Sequence, residues 1–143
     1  MKINILRVDR DLPLPKQAYG DDAGYDLLSA IDCDLPPSER ALIPTGVAVA
    51  IPKGYAGFVQ PRSGLAIKHG LSLVNTPGLI DSSYRGEIKV IAINTDPRET
   101  FSIKRGDKIA QLVIQKIEAV HFEEVDSLDE TERGHNGFGS SGT

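Results

Sequence analysis

Hydrophobic residues in this chain come in short runs rich in Val and Ile, cut by turn residues before any run grows long. Such runs cover residues 3–8, 41–45, 47–51, 55–60, 71–75, 87–94, 100–104 and 109–117, and a further strand is predicted over 25–30. Short β-type runs with turn signals between them predict an all-β sandwich or barrel. No amphipathic helix of normal length is visible, although residues 65–68 have the pattern of one helical turn that ends at Gly70. Two runs are apolar on both faces: Val47-Ala48-Val49-Ala50-Ile51, and residues 88–93, where only Lys89 interrupts. A small domain struggles to cover both faces of a sheet by itself, so these runs predict burial against a second subunit and a homo-oligomer. The alternative is that loops of the same chain cover them.

Composition narrows this picture. With 143 residues the chain is most simply one domain, large enough to bury a core. A net charge of −4 argues against general nucleic-acid binding, which needs a basic face. The single Cys33 leaves no intramolecular disulfide and no paired-cysteine zinc site. No leader-like segment opens the sequence, and no run reaches the ~18 apolar residues of a membrane helix. A cytoplasmic protein that engages neither nucleic acid nor membrane is expected.

Candidate chemistry lies in the punctuation. In Asp22-Ala23-Gly24-Tyr25-Asp26-Leu27, Asp26 falls inside a predicted strand, where a carboxylate must face solvent or find a cation. Arg62-Ser63-Gly64 opens the predicted helical turn; Arg62 offers a planar fork for an anion, Ser63 a hydroxyl and Gly64 close backbone approach. Ser63 reads equally as a plain N-cap. Asn75-Thr76-Pro77-Gly78 reads as a turn, with Pro77 setting one corner and Gly78 taking a positive φ at the next. Leu79 and Ile80 then start a returning strand, so that residues 73–84 form a tight hairpin with Asp81 and Tyr84 at its end. Such a hairpin can hold a flat polar ligand, although Asp81 and Tyr84 are also ordinary turn residues. Gln111 shares an alternate face with Ile109, Val113 and Ile117 and must donate to a backbone carbonyl or to a ligand. His69 has no visible partner and reads as a surface or capping residue. Residues 118–132 are acidic and irregular, a solvated strand end and linker. The tail, 133–143, matches G-x-G-x-x-G but lacks the strand and helix of a dinucleotide fold. It is either disordered or a Gly/Ser arm able to wrap an anion, with Phe138 available for stacking and Arg133 for charge.

Taken together, these strings resemble the five motifs of the trimeric dUTP pyrophosphatases (dUTPases), in order, from residue 22 to residue 143. Asp22-Ala23-Gly24-Tyr25-Asp26-Leu27 is similar to the first, Pro61-Arg62-Ser63-Gly64-Leu65-Ala66 to the second, and residues 75–88 to N-x-P-G-x-I-D-x-x-Y-R-G-E-I. Residues 105–111 are similar to R-G-D-[KR]-I-A-Q, and the tail to R-G-x-G-G-F-G-S-[ST]-G, with Asn136 where Gly is usual. Asn tolerates φ > 0, so the arm is expected to keep its shape.

The resemblance implies a jelly-roll-like β subunit, residues 1–132, in a homotrimer whose sites lie between subunits. Residues 133–143 would be an arm closing over a neighbouring site. It implies hydrolysis of dUTP to dUMP and pyrophosphate, which keeps uracil out of DNA and supplies dUMP for thymidylate synthesis. Asp81 would activate water, with Asp26 and Arg62 in support. Asn75, Gly78, Leu79, Ile80, Tyr84 and Phe138 would hold uracil and deoxyribose. Arg62, Ser63, Gly64, Gln111, Arg133, Gly139, Ser140 and Ser141 would hold the phosphates. Mg²⁺ would be carried by substrate phosphates and water, with no protein ligand. The competing readings are a dCTP deaminase, alone or bifunctional, and a non-catalytic nucleotide-binding trimer.

Overall fold

The computed structural model describes residues 1–138; the expected contacts of Gly139, Ser140 and Ser141 lie outside the described residues. Within them the chain is built of antiparallel strands and one short helix. In chain order these are β1 (Asn4–Arg7), β2 (Gly24–Leu28), β3 (Cys33–Leu35), β4 (Arg40–Pro44), β5 (Val47–Ala50) and β6 (Tyr55–Gln60). Then follow α1 (Ser63–His69), β7 (Leu71–Leu73), β8 (Gly78–Ile80), β9 (Lys89–Asn94), β10 (Phe101–Ile103) and β11 (Lys108–Lys116). This is the all-β architecture expected from the sequence; β3 and β8 were too short to carry a pattern of their own.

The strands pair in four groups: a sheet ordered β2-β11-β6-β8, a sheet ordered β4-β9-β7, and the pairs β1-β5 and β3-β10. Period-two alternation aims one face of each inward. In β9, Val90, Ala92 and Asn94 are buried while Lys89 is exposed. The core gathers Leu27, Leu35, Ile43, Ile51, Leu71, Ile88, Val90, Ile103 and Ile109 from both larger sheets and the strand pairs. Asn94 is buried within it, but its Nδ2 donates to the carbonyls of Leu35 (2.9 Å) and Glu99 (2.7 Å) and its Oδ1 accepts from the N–H of Asp96 (2.9 Å). The amide is therefore satisfied and ties β9 to β3 and to the turn before β10.

Two expectations need correction. The apolar run beginning at Val47 does not need a second subunit for its cover. Val47, Ala48, Val49 and Ile51 are all buried within the single chain, with β1 paired along β5. Nor do residues 73–84 form a ladder hairpin. β7 pairs with β9 in one sheet and β8 with β6 in the other, so residues 74–77, with a cis Thr76–Pro77 peptide, cross between sheets.

A third difference lies in β11. Strict alternation would leave Ile109 on the face of Gln111. A bulge between Lys108 and Ala110 shifts the register, so that Lys108 pairs with Leu28 and Ala110 with Leu27. The consecutive residues Ile109 and Ala110 are both buried in the core as a result. Beyond the bulge, Gln111 pairs with Asp26 on β2 and with Gln60 on β6.

Candidate active site

Asp26 is the buried carboxylate, 8% exposed, and it takes the paired alternative rather than the solvent-facing one. Arg62 Nε lies 3.1 Å from its Oδ1 and Lys108 Nζ 2.8 Å from its Oδ2. The Lys108 contact is off the hydrogen-bonding angle, so Oδ2 is held by charge and not by a directed hydrogen bond. Arg62 is the N-cap of α1 and donates through Nη1 to the Lys108 carbonyl (3.3 Å). One carboxylate thus faces two cations, and the cluster keeps a net positive charge.

Ser63 is the first residue of α1 and not its cap, and no side chain caps the helix. Ser63 and Gly64 are exposed beside Arg62. The Gln111 amide lies next to them because Nε2 donates to the carbonyl of Pro61 (2.9 Å). Its second N–H remains to serve a ligand. Gly24 makes this position possible: a Cβ there would collide with Gln111 Oε1. Asp26, Arg62, Ser63, Gly64 and Gln111 are therefore brought together at one end of the four-stranded sheet.

Asp81 and Tyr84 lie elsewhere. β8 is an edge strand, and its Ile80 pairs with Gly57; Asp81 is the next residue. Asp81 is exposed in a depression shared with Leu42, Leu79, Tyr84 and Glu87. Tyr84 is half-exposed, its hydroxyl donating to the Glu87 carbonyl (2.9 Å), and its ring rests on Gly86. Glu87 Oε1 accepts from the N–H of Gly46 (2.8 Å), which fastens this turn to the turn between β4 and β5. Gly78 is buried and does not take the positive φ expected of it. Its lack of a side chain serves close packing instead, since a Cβ would lie 3.2 Å from Asn75 Nδ2 and 3.6 Å from Val59.

The separation of the two clusters follows from the register. Gln111 is level with Gln60 on β6, whereas Asp81 follows the residue level with Gly57. Four residues along a strand and two strands across place their Cα atoms about 16 Å apart. Within one chain the two halves of the expected site do not meet.

The chain is exposed from residue 117 to residue 136, and Phe138 is fully exposed. Arg133 Nε donates to the Asn136 carbonyl (2.8 Å). Gly134 and Phe138 take positive φ, at 52° and 50°, and Asn136 does not. The substitution at that position therefore makes no demand on left-handed backbone here. Residues 118–132 contain no strand but display Val120, Phe122, Val125 and Leu128, an apolar content that their acidic character hid. His69 ends α1 and packs against Phe101 with ring centroids 5.0 Å apart and ring planes tilted by 45°.

Sequence reasoning gave no role to Lys108 or Glu87, both inside recognised strings. Lys108 reaches Asp26 only through the bulge, and Glu87 reaches Gly46 only because the β4–β9 pairing, which ends at Pro44 and Lys89, sets the two side by side. Neither has a local signal.

Residues 10–142 match the family described as dUTPase. The chain is 56% identical over 140 residues to the deoxyuridine 5′-triphosphate nucleotidohydrolase of Corynebacterium glutamicum, covering 98% of this chain and 94% of that one. Among solved structures, the dUTPase of Staphylococcus bacteriophage 80alpha with dUPNHPP is 32% identical, with a TM-score of 0.90 and 99% of each chain covered. A mutant dUTPase from phage phi11 of S. aureus, described for its coordination of a structural Mg(II) ion, is 30% identical with a TM-score of 0.83, covering 91% of this chain and all of that one.

Proposed function

The chain belongs to the dUTPase family, and from that premise we propose how its residues carry out the reaction. The protein is a dUTP diphosphatase, which hydrolyses dUTP to dUMP and pyrophosphate. The observation that carries the reading is the division of the site: Asp81 and Tyr84 at one end of the sheet, Arg62, Ser63, Gly64 and Gln111 at the other.

A triphosphate cannot be gripped and attacked by groups about 16 Å apart in one chain. The two halves meet when one protomer offers its Asp81 end to the Gln111 end of another. The family's homotrimer supplies that arrangement, and residues 133–143 then form an arm closing over a neighbour's site. Exposed Ile5, Leu6 and Leu42 give each chain apolar surface for such an assembly.

The outer backbone groups of edge strand β8, with the Asn75 amide, hold the pairing edge of uracil over Gly78, Leu79 and Ile80. Tyr84, fixed by its bond to the Glu87 carbonyl, lies against deoxyribose and leaves no room for a 2′-hydroxyl. Phe138 stacks on the base. Arg62, Ser63, Gly64 and the free Gln111 N–H take the phosphates, joined by Arg133, Gly139, Ser140 and Ser141 of the arm. Asp81 accepts a proton from water as its oxygen bonds the α-phosphorus. The bond from that phosphorus to the bridging oxygen breaks, and pyrophosphate leaves.

The donors on the phosphate side are cations, hydroxyl and amide. Among the described residues no three His, Cys, Asp or Glu converge, and Asp26 already faces two cations. These residues suit a Mg²⁺ ion that arrives with the triphosphate and its waters. When bound it neutralises charge on the phosphate oxygens. No helix among the described residues is long and apolar enough to cross a membrane.

The test is pyrophosphate release, with Mg²⁺, from dUTP, dCTP, dTTP and UTP side by side. Release from dUTP alone is expected. Ammonia from dCTP would favour the deaminase reading, and no release from any nucleotide by a folded trimer would favour a binding module.

A further inference from the structure

We propose that Lys108 is a positioning residue of the phosphate side: its ammonium holds the Asp26 carboxylate, and Asp26 in turn sets the Arg62 guanidinium. The proposal rests on the assignment of Arg62 to the polyphosphate. Three observations carry it. The first is the bulge. Lys108 follows the Arg105-Gly106-Asp107 turn, and unbroken alternation would put it on the face of Ala110 and Leu112, both buried. The extra residue instead brings Lys108 level with Leu28, two residues along β2 from Asp26 and on the same face of that strand. A bulge that turns a cation out of the core and onto a buried carboxylate is a built feature of this strand.

The second is charge. Asp26 is buried and cannot stand ionised alone. With Arg62 as sole partner it would draw the guanidinium fully to itself. With Lys108 on Oδ2 at 2.8 Å and Arg62 on Oδ1 at 3.1 Å, the carboxylate is shared and one positive charge remains in excess for an anion. The third is that Arg62 Nη1 donates to the carbonyl of Lys108 itself, so the same residue fixes the guanidinium by its backbone and the carboxylate by its side chain. Lys108 is 49% exposed at its side chain, so direct contact with phosphate is the rival role, and the experiment separates the two.

The experiment is a double-mutant cycle on the full-length trimer: wild type, Lys108→Met, Lys108→Arg, Asp26→Asn and the Asp26→Asn/Lys108→Met double variant. Pyrophosphate release gives kcat and KM, and calorimetric binding of a non-hydrolysable dUTP analogue runs the same cycle where turnover is slow. Thermal melting checks each fold, and Lys108→Gln replaces Lys108→Met should the latter fail to fold. Lys108→Met is expected to lower kcat/KM about tenfold, Lys108→Arg to restore it within about threefold, and Lys108→Met in the Asp26→Asn background to add less than about twofold. Three outcomes overturn the proposal: losses that multiply in the double variant, which assign Lys108 to the phosphate directly; an Arg variant as poor as Met; or a Met variant equal to wild type. An inactive wild type removes the functional reading itself and this proposal with it, whereas an active wild type with multiplying losses removes only the role of Lys108.

Discussion

Two inactive variants of this protein should make an active enzyme when they share a trimer. The perturbation is three substitutions in two separate chains: Asp81→Asn in one, which removes the proposed base, and Gln111→Ala with Ser63→Ala in the other, which removes proposed phosphate donors. Each is nearly inactive alone. The register of β11, β6 and β8 places Asp81 and Gln111 about 16 Å apart in one chain, so a site that uses both, as proposed, takes them from different protomers. In randomly mixed trimers from equal amounts of the two chains, a site is whole when its Asp81 comes from the second variant and its Gln111 from the first. Independent choice of protomer makes that about one quarter of all sites. The assay is pyrophosphate release from dUTP by co-expressed, differently tagged chains purified through both tags, a step that enriches mixed trimers and raises the fraction. Native mass spectrometry reports the composition. Recovery near a quarter of wild-type activity or above supports a shared site. Mixed trimers no more active than the parents would refute the separation argument and return both halves of the site to one chain.

Other substitutions probe the supports of the site. Gly24→Ala should drive Gln111 off the Pro61 carbonyl, since the new Cβ collides with Gln111 Oε1; KM for dUTP should rise several-fold while the melting temperature moves little. Tyr84→Ala should relax discrimination against UTP, and an unchanged ratio of kcat/KM for dUTP over UTP would place the sugar gate elsewhere. Asn94→Ala leaves the Leu35 and Glu99 carbonyls and the Asp96 N–H without their partner in the core. Denaturant unfolding should show a loss of about 3 kcal/mol. The Arg105 guanidinium, hydrogen-bonded to Asp9, holds that carboxyl below its ordinary 3.8. A lowered folded value means the ion pair adds stability above the unfolded pKa and loses it as pH falls through the folded one. The stability difference between wild type and Asp9→Asn should thus be level above about pH 4 and vanish in stronger acid; a difference that changed near neutrality would contradict it.

The sequence by itself determined what is local. Val- and Ile-rich runs became strands because β-branched side chains fit a pleated, half-buried surface, and the Gly and Pro between them ended each run. The helical turn after Arg62 was legible for the same reason, and so was the list of candidate groups, because a motif needs neighbours in sequence to place them. The tertiary structure decided what depends on distant partners. Residues 71–73 and 78–80 look like the arms of a hairpin, yet each found a longer strand in a different sheet. The apolar run at Val47 looked like an interface, but this chain's own elements cover it. Asp26 could have faced water, and its burial between Arg62 and Lys108 depended on α1 and on β11 arriving together. The bulge at Lys108 has no local signature, because it arises from the register β11 adopts on β2. The separation of the candidate residues Asp81 and Gln111 is the largest such decision. Sequence order placed Asp81 between the motifs of Ser63 and Gln111, but distance in a sheet is set by register and strand order, which only the folded chain fixes.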